Sequence, residues 1–276
     1  MHLGFPLQVT YDYVHGYDER ANTRLQDQAD AVVDLVHSDT RYPEGSLVLE
    51  AGCGVGAQTV TLARNSPGAR IVSMDIAAAS LAAAKAKVEA AGLRNVRFQQ
   101  ADVYAPPFAR ASFDHVFVCF LLEHLSRPLE ALARLKEALK PGGTITVVEG
   151  DHGSTYFHPD SDDAYAAIRC QVELQRAAGG NANIGRELYP LLTKAGFKAV
   201  RVSPRMVYVD SSRPRLVEGF TRKTFTAMIE GVREAALKAR MIEPERFDAG
   251  IRALYRAAEE DGVFCYTFFK AFGEKD

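Results

Sequence analysis

The chain lacks an excess of either charge. Over 276 residues it has 33 Lys and Arg against 35 Asp and Glu, a formal net charge of -2. A global basic field of the kind that recruits nucleic acid or an acidic membrane surface is therefore missing. Paired cysteines are missing too. Cys53, Cys119, Cys170 and Cys265 are widely scattered, with no CxxC spacing. That pattern speaks against both a zinc site and a disulfide framework, and a reducing cytoplasm is the expected setting. No apolar run approaches the roughly 20 residues of a membrane helix; the longest is Val116 to Leu122. The opening "MHLGFPLQVTYDYVHGYDER" has no basic segment leading into a long apolar stretch, so no secretory signal is expected. There is no internal repeat, low-complexity tract or flexible linker.

What is present is an alternation of strands and helices. "LVLE" from Leu47 is a short apolar strand, followed by a helix over Ala57 to Arg64. Arg70 to Asp75, Asn95 to Asp102 and Phe113 to Phe120 read as the second, third and fourth strands. Between the second and third lies an Ala-rich helix, Ala79 to Ala91, stopped by Gly92. Pro128 suits the first turn of the next helix, whose apolar stripe is Leu129, Leu132, Leu135 and Leu139. "KPGG" turns the chain into a fifth strand, "TITVVEG". Crossovers of this length imply parallel pairing and a doubly wound α/β sheet. After Gly150, helices are expected over Asp160 to Ala178 and Gly185 to Ala195, with a sixth strand in "FKAVRVSPRMVYVD". The stretch from Arg213 to Asp261 is charged and helical, a cap inserted before a last strand at Gly262 to Gly273.

In an open α/β sheet ligands sit at the carboxyl ends of the strands. "LVLEAGCGVGAQT" leaves the first strand there, with Gly52, Gly54 and Gly56 permitting a sharp turn and close approach to a ligand. Its spacing is GxGxG, where a dinucleotide fingerprint has GxGxxG, and no GK[ST] follows as in a P-loop. Asp75 closes the second strand about 20 residues on, where a carboxylate can take both ribose hydroxyls of an adenosine. The same residue could serve as a helix N-cap, and Asp102 as a turn residue.

Five ordered segments, "VLEAGCGVG", Asp75, "QAD" with Asp102, "FDHVFVCFLLEHL" and "LKPGGTITVVEG", resemble the class I S-adenosylmethionine-dependent methyltransferases. The resemblance implies a Rossmann-like sheet of seven strands, the last antiparallel, and S-adenosyl-L-methionine as cofactor. Glu50, Gly52, Cys53, Gly54 and Gly56 would lie against its methionine part, Asp75 and Ile76 at the ribose, Asp102 and Val103 at the adenine, with the backbone at Phe120 flooring the site. The flanks "YVHGYDERANTRLQDQA", "EGDHGS" and "YTFFKAFGEK" are similar to small-molecule methyltransferases of natural-product and quinone-type pathways, among them the gliotoxin-pathway N-methyltransferase. One domain is expected throughout: a helical lid over 1–45 with Tyr17 or Arg24 near the cofactor carboxylate, a cofactor core over 46–150, and acceptor-side elements over 151–276.

Methyl transfer mainly needs in-line alignment and exclusion of water, and alignment alone is worth roughly 7–11 kcal/mol. A base adds about 10²–10⁴-fold where the acceptor must lose a proton. His152, on the loop expected after strand five with Glu149 and Asp151, is the first candidate, and His124 in "LLEHL" the second. His152 has an equal reading as a satisfied loop histidine, and His124 reads first as a structural residue near the cofactor. Asp151, His152 and His158 lack regular ligand spacing, and no metal is expected. "SSRPRLVEGFTRK" is basic and contains Phe220, with Phe225 two residues beyond it, which suits a solvated helical cap better than a nucleic-acid edge. A small-molecule acceptor is expected, with no membrane and no nucleic-acid partner. An RNA or protein methyltransferase, a nicotinamide-dependent oxidoreductase and a non-catalytic adenosine-binding protein remain as alternatives. The methylated atom and the oligomeric state, a homodimer included, stay open.

Overall fold

The computed structural model of the protein describes residues 32–276. Residues 32–37 are helical, labelled α1, and lead into β1, Leu47–Ala51. Then follow α2 (Thr59–Asn65), β2 (Arg70–Asp75), α3 (Ala78–Ala90), β3 (Val96–Gln100) and β4 (Phe113–Cys119). A 3-10 turn at Leu122–His124, α4 (Pro128–Ala138) and β5 (Leu139–His158) complete the first half. The second half has α5 (Asp162–Ala177), a 3-10 turn at Ile184–Glu187, α6 (Leu188–Lys194) and β6 (Lys198–Val209). A helical cap follows, and β7 (Val263–Glu274) ends the sheet.

The seven strands form one sheet in the order β3-β2-β1-β4-β5-β7-β6. β1 to β5 are parallel, and β7 runs antiparallel between β5 and β6. Burial on both faces explains why β1 and β4 read as nearly continuous apolar runs. On one face, Val48, Phe117, Val148 and Phe268 pack under α1, α2, α5 and the cap. On the other, Leu49, Val116, Val118 and Ile145 pack against Leu132 and Leu135 of α4 and Leu188 and Leu192 around α6. The winding reverses between β1 and β4, which opens a crevice at their carboxyl ends.

Most boundaries fall within two residues of those expected, but strand five does not. It runs past Gly150 to His158, because a long β7 supplies an antiparallel partner from Glu149↔Phe269 to His158↔Val263, with one irregularity between Asp151 and Tyr156. The loop expected to carry Asp151 and His152 is therefore strand. The helix expected from Gly185 opens as a 3-10 turn and becomes α-helical only at Leu188.

Candidate cofactor and acceptor site

β1 ends at Ala51, and the chain turns at Gly52, Gly54 and Gly56 with φ of +74°, +52° and +76°. Only glycine adopts these angles without strain. Two of the three also leave no room for a side chain. A Cβ on Gly52 would stand 2.8 Å from Leu121 Cδ1, and one on Gly56 would stand 2.9 Å from Ala84 Cα of α3. Gly54 faces open space instead.

The loop amides distinguish the ligands this turn can hold. The N–H groups of Gly52 and Cys53 both donate to Met74 O (2.8 and 3.0 Å), and Gly56 N–H donates to Cys53 O (2.9 Å). Gly54 N–H donates to Asp75 Oδ2 (2.8 Å). A pyrophosphate needs such amides aimed outward, and these four are already taken. The glycine turn thus keeps these four amides for its own hydrogen bonds, which suits an adenosyl ligand with no pyrophosphate to cradle.

Asp75 ends β2 with its second oxygen, Oδ1, accepting Ala77 N–H (2.9 Å). The carboxylate is thereby locked in place at the mouth of the glycine loop. Ile76 beside it is 44% exposed. Asp102 Oδ1 accepts Tyr104 N–H (2.9 Å), the turn role, and Val103 is buried in the lower core. Cys53 is buried, which pushes its thiol pKa up. Glu50 lies deeper than expected. Its Oε2 accepts the hydroxyls of Thr59 (2.8 Å) and Ser73 (2.6 Å), tying β1 to α2 and β2 beneath the loop. Burial pushes its carboxyl up to about 7.

At the end of β4, Phe120 takes a φ of +55°, rare for a residue with a side chain. Its N–H donates to Val148 O (2.9 Å), and its ring lies 5.3 Å from that of Phe268. Next to it, Leu121 and Leu122 donate their N–H groups to Glu149 Oε1, at 3.0 and 2.7 Å. Glu149 is thus bound to backbone and not presented to an acceptor.

The first candidate base lies where β5 pairs with β7. His152 is only 5% exposed. Its Nδ1 is hydrogen-bonded to Tyr266 Oη (3.0 Å), and its Nε2 points to Met228 Sδ (3.4 Å) in the cap. The Phe225 ring lies 6.0 Å away. Burial lowers the His152 pKa, with the neighbouring Glu123 opposing that shift, so the ring is neutral near pH 7. A Cβ on Gly150 would fall 2.3 Å from Tyr266 Oη, so glycine is what lets this tyrosine reach the histidine. Asp151, one residue earlier, faces the other way and is held by both arms of Arg186 (2.7 and 2.7 Å). His158 is far along the strand, opposite Val263. No cluster of three metal-ligating side chains forms among the described residues. His124 Nε2 lies 3.6 Å from Glu123 Oε1 in the 3-10 turn. Tyr17 and Arg24 lie outside the described residues.

The basic segment packs on the sheet as part of the helical cap. Pro214–Leu216 is α-helical, Val217–Thr226 is π-helical and Ala227–Gly231 is α-helical. The wider π turn brings residues five apart onto one face, and Phe220 and Phe225 both pack on Tyr266. Neither ring is available to stack on a base. Arg222 pairs with Glu259 (2.8 Å) and Lys223 with Glu218 (3.4 Å). The sequence carried the helical cap but no signal for its π winding. Tyr266 had no signal either, because its role depends on pairing between β5 and β7.

A family model described as "Methyltransferase domain" matches residues 48–143. The chain is 30% identical over 187 residues to a demethylmenaquinone methyltransferase of Thermus thermophilus, covering 57% of this chain and 82% of that protein. It is also 30% identical over 202 residues to an uncharacterized 37.1 kDa protein in transposon TN4556 of Streptomyces fradiae, covering 72% of this chain but only 57% of that protein. Among solved structures, phosphoethanolamine N-methyltransferase 2 of Haemonchus contortus in complex with S-adenosyl-L-methionine has the same fold. The TM-score is 0.55 at 17% identity, over 90% of this chain and 52% of that one. The glycine loop, the order of the strands and these relatives agree: the chain belongs to the class I S-adenosylmethionine-dependent methyltransferases.

Proposed function

We propose that the protein methylates a small organic acceptor of the natural-product or quinone type, as one methyltransferase domain working in the reducing cytoplasm. The observation that carries the choice of a small acceptor is the cap. Met228 and Phe225 of the cap pack directly on His152 and Tyr266, which suits a small acceptor entering beneath the cap better than an RNA or protein laid along an open groove. The similarity to a demethylmenaquinone methyltransferase supports the same reading.

The donor, when bound, supplies a methyl group on an electrophilic sulfonium. The chain's residues do the rest. Asp75 takes the ribose hydroxyls through lone pairs left beside its two amide bonds, and the glycine turn brings backbone against the methionine part. Asp102 and Val103 line the adenine end, and the Phe120 corner floors the crevice. His152, neutral at pH 7, removes the acceptor's proton at Nε2 when the acceptor displaces the Met228 thioether from it and the ring proton sits on Nδ1, donated to Tyr266 Oη. Tyr266 holds the other ring nitrogen and so fixes the orientation of the base.

Calorimetric titration with S-adenosylmethionine, S-adenosylhomocysteine and NAD tests the cofactor half. Micromolar binding of the first two with NAD silent is expected; binding of NAD alone would overturn it. Screening quinone, phenol and amine acceptors with the labelled donor tests the other half. Labelling of RNA or protein in place of every small acceptor would overturn that part.

A further inference from the structure

Glu149 is 0% exposed at the point where β5 leaves β4, and its carboxylate faces the corner that follows β4. Oε1 accepts from Leu121 N–H (3.0 Å) and Leu122 N–H (2.7 Å), and Oε2 lies 3.4 Å from Glu123 N. These amides open a 3-10 turn and have no partners within it. The corner they belong to is strained. Phe120 holds φ +55°, a conformation that persists in a non-glycine residue only where the surroundings over-determine it. Val148 O grips the Phe120 amide from β5, and Glu149, the next residue of that strand, grips the two amides after it. Held this way, Leu121 lays its side chain on Gly52, where a Cβ would meet Cδ1 and Cδ2 at 2.8 and 2.9 Å.

We propose that Glu149 is a positioning residue for the methyl donor: from strand five it sets the β4 corner, and through Leu121 it sets the glycine loop. One buried carboxylate thus links the acceptor strand to the cofactor loop and shapes the crevice before any ligand arrives. The geometry explains why the residue is an acid. Three amides in a dry interior need acceptors, and one side chain with two adjacent oxygens meets all of them. An apolar residue of similar size would leave all three unpaired, and aspartate is one methylene too short. Glutamine keeps an oxygen at the Oε1 position and gives up only the long contact to Glu123.

The proposal rests on the reading that Asp75 and the glycine loop hold the donor. Its test is titration of the protein with S-adenosylhomocysteine, together with thermal unfolding, for Glu149→Gln, Glu149→Asp, Glu149→Leu and Asp75→Ala. Glu149→Gln should bind within about 3-fold of the native protein. Glu149→Asp and Glu149→Leu should lose on the order of 10-fold or more while folded, the scale of leaving a buried amide without its hydrogen bond. Native affinity in a folded Glu149→Leu or Glu149→Asp protein would overturn the proposal, as would a Glu149→Gln loss equal to that of leucine. Should both damaging variants fail to fold, amide hydrogen exchange of the native protein decides. Leu121 and Leu122 should exchange slowly without ligand and change little on adding S-adenosylhomocysteine. Fast exchange that slows only with ligand would mean the ligand organises the corner, and the proposal would fall. Asp75→Ala separates the two readings. If it binds normally, the cofactor site itself is misplaced; if it alone loses binding, only the role of Glu149 fails.

Discussion

Single residues at the carboxyl end of the sheet carry opposite electrostatic strains. Glu50 has its carboxyl pushed up by burial to about 7, while unfolded it titrates at the ordinary 4.5. Between those two values the folded state holds a proton that the unfolded state has released. The stabilisation is therefore complete below the lower value and is lost as pH rises through the upper one, a change of up to ~3 kcal/mol. Urea unfolding at pH 5 and pH 8 should show the native protein losing that much relative to Glu50→Gln; parallel losses in the two proteins would clear Glu50 of the effect. His152 is shifted the other way, its pKa lowered by burial. Activity should accordingly fall on acidification through a pKa below the ordinary 6.5. His152→Ala should cut turnover by about 10²–10⁴-fold and leave S-adenosylhomocysteine affinity unchanged. An unaltered pH profile in that variant would remove it as the base. The glycines and Asp75 were visible in the sequence because turn chemistry and strand-end spacing are local. The duties of Glu50 and Glu149 were not, because their partners are 9 to 28 residues away.

At the scale of elements, the glycine turn is fitted to the helix packed on it. Gly56 has φ +76° and sits where a Cβ would press on the backbone of α3 at Ala84. Gly92, just past the end of α3, has φ +69° but open space around it. Both Gly→Ala changes incur the left-handed penalty of about 1–3 kcal/mol, and only Gly56→Ala adds a clash with main chain. Thermal melts should therefore show Gly56→Ala clearly below Gly92→Ala, and equal melting points would mean that α3 yields without cost. The same local logic placed β1 to β4 and α2 to α4 within a residue or two. It failed at strand five, where "EGDHGS" has turn-like composition yet pairs with β7 because that partner is long enough to reach it. It also missed the π turn, whose winding is set by seating Phe220 and Phe225 together on β7.

Over the whole molecule, the two ends of the described chain meet across the upper face of the sheet. Lys270 of β7 is largely buried and donates to Val36 O (2.9 Å), Asp39 Oδ1 (2.6 Å) and Thr40 Oγ1 (2.5 Å). A cation at the carboxyl end of α1 also complements the helix dipole. Burial lowers the Lys270 pKa, while Asp39 opposes that shift. Lys270→Met should raise amide exchange across residues 32–40 more than in β1 or β4, and a uniform rise would mean the contact supports global stability only.

By itself the sequence determined the α/β class, the parallel core and the position of the cofactor turn, since each rests on hydrophobic period, glycine placement and strand-to-helix spacing within about 30 residues. Tertiary structure decided which acids hold the structure together, Glu50 by two hydroxyls and Glu149 by backbone amides. It also placed His152 in a strand and packed an aromatic cap on it. Those last outcomes depend on β7 returning antiparallel beside β5, a pairing across more than a hundred residues that no local pattern encodes.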